Sequence, residues 1–167
     1  MPNIVYNASQ ERKRKSSFLS VLSIFLILFL DRVSKADISS KLSPGESIPI
    51  IKNVLHLTFV KNTGAAFGLF KNSTYFFIAV SVIAVVIIGA VLLKAIRNDK
   101  FFGNFLFNFS LILIMSGALG NLIDRVSLRY VIDFIDFRIW PVFNFADSSI
   151  TIGTALLLIS FTKKTTG

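Results

Sequence analysis

The sequence predicts an all-α integral membrane protein of four transmembrane helices with an acidic site on one face. Three observations predict it. Uncharged apolar runs recur four times along 167 residues, 53% of the chain is hydrophobic, and Asp31, Asp124, Asp133 and Asp147 stand at, or just beyond, the same ends of those runs. With 18 Phe and a mean hydropathy of +0.70, the composition lies outside the usage of soluble domains. Carboxylates at the rim of a hydrocarbon slab are costly to desolvate, so a cluster of them on one rim marks a functional site.

Ser16 to Leu30 carries no charge, Tyr75 to Leu93 is a run of 19, Phe101 to Ile123 is uncharged throughout, and Ser148 to Thr162 is the last. About 20 residues cross a core of roughly 30 Å, so the middle two runs span unaided. The outer two, of 15 residues each, must draw flanking residues into the interface. Helices are therefore expected at about 16–35, 74–95, 101–123 and 147–163, with a basic tail over 1–15 and outer connections at about 36–73 and 124–146. The whole of 1–167 is expected to form a single membrane domain. Asp31-Arg32 stands where a small-residue cleavage site would follow a signal sequence, so the first run reads as a retained helix.

A formal charge of +9 invites acidic partners, but the 18 Lys and Arg lie at the ends and connections of apolar segments. There they set topology and meet anionic headgroups, and no nucleic acid is expected. Basic residues are densest in the tail (12–15), the short loop with Lys94, Arg97 and Lys100, and the end with Lys163 and Lys164. That density puts both termini in the cytoplasm and the two long connections outside it. The absence of Cys excludes thiolate chemistry and iron–sulfur clusters, and one histidine, His56, cannot build a His-rich metal site.

Chemistry then falls to the outer connections. Leu55-His56-Leu57-Thr58-Phe59 alternates as a strand does. Asn62 to Gly68 follows, with small residues that let backbone approach a ligand or simply turn. Lys15 to Asp31 and Asp147 to Lys163 are each 16 residues. At 1.5 Å per residue both acids sit roughly 24 Å above their inner anchors, at matching, slightly submerged depths. The same arithmetic from Lys100 gives roughly 36 Å and places Asp124 clear of the hydrocarbon, beside Arg125 as an adjacent ion pair. Gly117 and Gly120 permit close helix packing. Asp133 lies between apolar neighbours that would desolvate it, Asp136 and Arg138 read as a solvated pair, and Asp147 is an N-cap candidate whose helix would keep it ionised.

Two nearby carboxylates in environments that push their pKa values apart are the apparatus with which aspartic proteases activate water. The plain alternatives are that Asp147 only caps a helix and Asp133 only ends a loop. A transporter would need ionisable groups across the bilayer, and the second run has none between Tyr75 and Leu93. An assembly protein without catalysis would lack a member of the pair, and both are present. A serine–lysine site at Ser34-Lys35, or one using Ser148, lacks an evident base, since helix neighbours diverge by about 100°.

Five segments in order carry a resemblance: Asp31-x-x-Ser34-Lys35; Asn62-x-Gly64-Ala65-Ala66-Phe67; Gly117-Ala118-Leu119-Gly120-Asn121-Leu122-Ile123-Asp124-Arg125; Val131-Ile132-Asp133-Phe134; and Phe143-Asn144-Phe145-Ala146-Asp147-Ser148. Together they resemble the bacterial lipoprotein signal peptidase (signal peptidase II) family over Asp31 to Gly153. The resemblance implies four helices in the cytoplasmic membrane, both termini cytoplasmic, a small extracytoplasmic β-element, and a short loop or helix over an active site at the extracytoplasmic face. It implies an aspartyl endopeptidase that removes the signal peptide from diacylglyceryl-modified prolipoproteins, cutting before the lipidated Cys, with no cofactor or metal. Asp133 and Asp147 match the family's catalytic pair. Asp31, Lys35, Asn62, Gly64, Gly117, Asn121, Arg125, Asn144 and Ala146 match its substrate-binding or supporting surround, with Asn121 and Asn144 suited to orient the pair. Partners are then lipidated prolipoproteins and membrane lipid, with the enzyme a monomer. Only 13 residues separate Asp133 from Asp147, so the loop over the site should be short.

Overall fold

The computed structural model describes residues 2–64, 73–98 and 105–165. Among them the order is α1 (Pro2–Lys41), β1 (Ser47–Ile51), β2 (Leu55–Asn62), α2 (Thr74–Arg97), α3 (Phe105–Leu128), β3 (Val131–Asp136) and α4 (Phe145–Thr165). Four helices among the described residues are long and apolar enough to cross a membrane, and the chain is an integral membrane protein.

The first helix is longer than expected at both ends. No Gly or Pro interrupts the chain between Pro2, which suits a first helical turn, and Pro44-Gly45, where Gly45 takes φ 90° and the helix can no longer continue. The basic tail is therefore helical, and the outer end carries Ile38 on to a core outside the bundle. At 1.5 Å per residue α1 is about 60 Å long, more than a bilayer with its headgroups. The third helix likewise passes its expected end at Ile123 and stops at Leu128, where Arg129 adopts φ 69° and its N–H bonds the Arg125 carbonyl at 3.2 Å. The stretch 101–104 and Lys100 lie outside the described residues.

Packing centres on α3, which touches α1, α2 and α4. Most of its apolar span is buried, whereas the other three keep wide apolar faces open, as lipid-facing helices do. Ile88 and Leu92 of α2 pack on Leu111 and Ile112 of α3. Small residues bring α4 in: a Cβ on Gly117 would overlap the Ala146 carbonyl and lie 2.7 Å from Ile150 Cγ1, and one on Gly153 would lie 2.8 Å from the Ser110 carbonyl oxygen. Backbone cannot yield as a flexible side chain can. Gly117→Ala is therefore expected to lower stability by about 1–3 kcal/mol, measured as thermal unfolding in detergent, with activity falling because Ala146 adjoins Asp147.

The β-element is a three-stranded antiparallel sheet in the order β1-β2-β3, larger than the single strand expected at 55–59. Alternation flags β2 alone. Every residue of β1 is exposed and every residue of β3 except Ile135 is buried, so neither shows a two-residue period. Ile38 and Leu42 at the outer end of α1 pack with Phe59, Ile132 and Phe134 of the sheet. That core sets β3 against the helix ends, with Val60 opposite Asp133 and Asn62 opposite Val131.

Candidate active site

Asp133 comes from β3 and Asp147 from the first turn of α4, and one residue ties them together. Asn144, fully buried, donates its side-chain amide to Asp133 Oδ1 at 2.6 Å, and its backbone N–H points at Asp147 Oδ2 at 3.2 Å. Its Oδ1 in turn accepts the Asp147 N–H at 2.9 Å. This reciprocal pair is a capping box. The N-cap is thus Asn144, and Asp147 occupies the third helical position rather than the cap expected from sequence. The reason is that Phe145 and Ala146 are already helical, which moves the cap three residues earlier.

The remaining carboxylate oxygens are taken by two more amides. Asn62 Nδ2 meets Asp133 Oδ2 at 2.8 Å and Asn121 Nδ2 meets Asp147 Oδ1 at 2.7 Å. Asp133 is only 1% exposed. Burial, and then the neighbouring charge of Asp147, push its pKa up to about 7, against the opposing pull of the Asn62 and Asn144 amides and of Lys35. Its neighbours along β3, Ile132 and Phe134, are buried in the sheet core, on the opposite face of the strand.

Behind the pair lies a second layer of charge. Lys35, 1% exposed, reaches Asp31 Oδ2 at 3.0 Å, Asp124 Oδ2 at 2.8 Å and Asn121 Oδ1 at 3.1 Å. Arg32 pairs with both carboxylates and with the Gly120 carbonyl. Asp31 Oδ1 accepts the Ala146 N–H at 3.2 Å, so the first and fourth helices do bring their acids to one level.

Asp124 corrects the expected ion pair with Arg125: it is 1% exposed and bonds Arg32, Lys35 and the Ile132 N–H instead. Consecutive side chains on a helix diverge by about 100°, so Asp124 faces α1 while Arg125 turns toward the carboxylate pair. Arg125 Nη2 meets the Gly64 carbonyl at 3.3 Å and its guanidinium lies 4.9 Å over the Phe77 ring. Gly117 and Gly120 face α4 and Asp31. Asp136 is also not a solvated acid, being 5% exposed and bonded to Thr58 and Arg138. The Ala65-Ala66-Phe67-Gly68 stretch lies outside the described residues.

The pair opens into a cavity of about 660 Å³. Asn62, Gly64, Asn121 and Arg125 form its polar wall with the two acids, and Phe77, Val131, Trp140, Pro141, Val142, Phe143, Ile150 and Ile152 form an apolar one. The short segment 137–142 supplies part of that wall as an irregular loop, anchored by the Ile135–Phe143 bridge, and contains no helix. The short loop was expected over the site, whereas sequence reasoning missed Arg32, Phe77 and the loop's Trp140 as site residues. Arg32 had a signal, since it lies three residues before Lys35 and can share its helix face; Trp140, the single Trp of the chain, beside Pro141, was another. The serine–lysine alternative has no geometry: Ser34 and Ser148 donate to the Asp31 and Asn144 carbonyls of their own helices, and Lys35 is held by acids.

A carboxylate pair in a half-apolar cavity at the end of a spanning bundle defines the class, a membrane protease. Within that class the chain belongs to the signal peptidase II family, whose model, described as Signal peptidase (SPase) II, matches residues 23–163. The lipoprotein signal peptidase of Halothermothrix orenii is 48% identical over 136 residues, covering 81% of this chain and 90% of that one. That of Clostridioides difficile is 48% identical over 143 residues, covering 84% and 93%. A solved structure described as "Bacterial membrane enzyme structure by the in meso method at 2.3 A resolution" superposes with a TM-score of 0.77 at 34% identity, covering 88% of this chain and 89% of that one. A second, at 1.9 Å, gives 0.72 at 34% identity.

Proposed function

We propose that this chain removes the signal peptide from diacylglyceryl-modified prolipoproteins, cutting before the lipidated Cys with Asp133 and Asp147 as a water-activating pair. The observation that carries the reading is Asn144, which bonds both carboxylates at once and holds them facing one cavity. Membership of the signal peptidase II family supports the substrate. The ionised member takes a proton from water, whose oxygen attacks the scissile carbonyl carbon while the protonated member donates to the carbonyl oxygen. In the tetrahedral intermediate the C–N bond breaks as the proton taken from water passes to the leaving nitrogen and one diol hydroxyl returns its proton to the other carboxylate, which restores the pair. No covalent enzyme intermediate forms.

The apolar wall would receive the residues around the cleavage site, and the acyl chains would stay in lipid between helices. Basic-residue density supports cytoplasmic termini, which puts the pair at the extracytoplasmic face.

Purified protein in detergent is expected to cleave a diacylglyceryl-modified prolipoprotein peptide before the modified Cys and to leave the unlipidated peptide intact. Equal cleavage of both peptides would remove the lipid from the reading. The raised pKa of Asp133 adds a pH dependence. The singly protonated pair is the active form, so as pH rises through about 7 the acid is lost and kcat/KM falls. Bound substrate excludes water and disfavours the doubly ionised pair, so the same limb is expected at higher pH in kcat. A kcat/KM that keeps rising to pH 9 would remove Asp133 as the acid.

A further inference from the structure

Each asparagine around the pair has its amide oxygen held by a donor, which turns its NH₂ end toward a carboxylate. For Asn62 the donor is the Gly64 N–H at 2.9 Å and for Asn144 the Asp147 N–H at 2.9 Å, both backbone groups within three residues. Asn121 differs. Its oxygen is held by Lys35 Nζ at 3.1 Å, a side chain from another helix. Asn144 Nδ2 also approaches that oxygen at 3.2 Å, but it faces Asp133 Oδ1 at 2.6 Å and the Ile132 carbonyl at 3.2 Å as well. Two hydrogens cannot serve three acceptors fully, so Lys35 is the decisive donor.

Lys35 has nothing else to offer. Its three ammonium protons meet Asp31, Asp124 and Asn121, so it is no general acid or base. Two acids and two bases make the Asp31, Arg32, Lys35 and Asp124 quartet formally neutral, which offsets the cost of burying a lysine at 1% exposure.

We propose that Lys35 is a positioning residue that locks the Asn121 amide with its NH₂ on Asp147, an orientation that favours the ionised form of Asp147 as the base of the pair. The inference rests on the dyad reading above. A carboxamide flips without changing shape, and a flipped Asn121 would set its oxygen against Asp147, a contact that only a protonated Asp147 satisfies. The charged or titratable groups arrayed about Asp147 are Arg125 and Asp124 from α3, Lys35, Asp31 and Arg32 from α1, and Asp133 from β3. A variant that removes Lys35 together with one acid keeps the quartet formally neutral while the amide is released, and Asn121→Leu removes the amide with every charge left in place.

That variant is K35M/D31N, in which the introduced carboxamide keeps an oxygen that can still accept the Ala146 N–H. Loss of one hydrogen bond to a charged group moves the acid limb of kcat/KM up by about one pH unit. Well below that limb, kcat/KM is expected to fall by up to about tenfold, with the loss vanishing well above it. Asn121→Leu is expected to give the same shift, and adding it to K35M/D31N to give no more, because the two changes remove one interaction. An unchanged acid limb in folded K35M/D31N, or effects that multiply in the triple variant, would overturn the proposal. If K35M/D31N does not fold, Asn121→Leu decides: a raised acid limb supports the lock and a wild-type limb sinks it. Full activity in Asp133→Asn would instead remove the dyad itself, whatever the Lys35 variants do.

Discussion

Asp133→Asn and Asp147→Asn are each expected to lower kcat by about 10²–10⁴-fold, the range that general acid–base catalysis contributes, while the protein stays folded. Asparagine copies the shape of aspartate and keeps one oxygen, but it neither takes a proton from water nor delivers one. Each acid accepts two hydrogen bonds in the structure, Asp133 from Asn62 and Asn144, and Asp147 from Asn121 and Asn144. The substitution therefore sets one NH₂ against a donor, a cost of about 1–3 kcal/mol, but it also removes like-charge repulsion between two buried carboxylates. These effects oppose, so the thermal midpoint in detergent is expected within about 4 °C of wild type. Single-turnover cleavage of the lipidated peptide measures the first quantity and thermal unfolding the second. Full turnover in either variant would end the assignment, and collapse of the fold in both would recast the two acids as structural.

The largest stability effect is expected at Asp124. Asp124→Ala strips one carboxylate from Lys35 and Arg32 and leaves the Ile132 N–H without its acceptor, all in a region 1–5% exposed apart from Arg32. Removing one partner of a buried ion pair costs about 3–5 kcal/mol, because the charge left behind is neither solvated nor paired. The control is Asp37→Ala: Asp37 pairs with Lys41 one turn along the same helix, but both side chains are more than half exposed, at 53% and 64%. Water solvates that pair in either state, so its loss is expected to cost less than about 1 kcal/mol. Comparing the two variants by thermal unfolding in detergent tests burial as the source of the effect. Equal stability of both would show that the Lys35 quartet contributes no more than a surface pair.

How much of this could be read beforehand depended on whether a residue's partner is local. The four spans were legible because an uncharged apolar run needs only itself to report that it prefers hydrocarbon. The level placement of Asp31 and Asp147 was legible from equal residue counts, and the Asp31–Ala146 contact agrees with it. The strand at Leu55–Asn62 was legible in part because apolar and polar residues alternate near its start. The β1 and β3 strands were not, since one is exposed throughout and the other is buried almost throughout, and a uniform environment leaves no period to detect.

The sequence by itself determined that this chain crosses a membrane four times, where its acids collect, and which family it resembles. Those conclusions rest on hydropathy, spacing and motif identity, which are local properties of the chain. Tertiary structure alone decided who bonds to whom: Asp124 with Lys35 and Arg32 rather than Arg125, Asn144 as the cap and bridge of the carboxylate pair, and Lys35 as the donor to Asn121. Hydrogen bonds and ion pairs form over about 3 Å, and residues that close in space here stand up to 115 positions apart in the chain. Only the packing of α1 and α4 on α3, and of β3 against their ends, brings them within that reach.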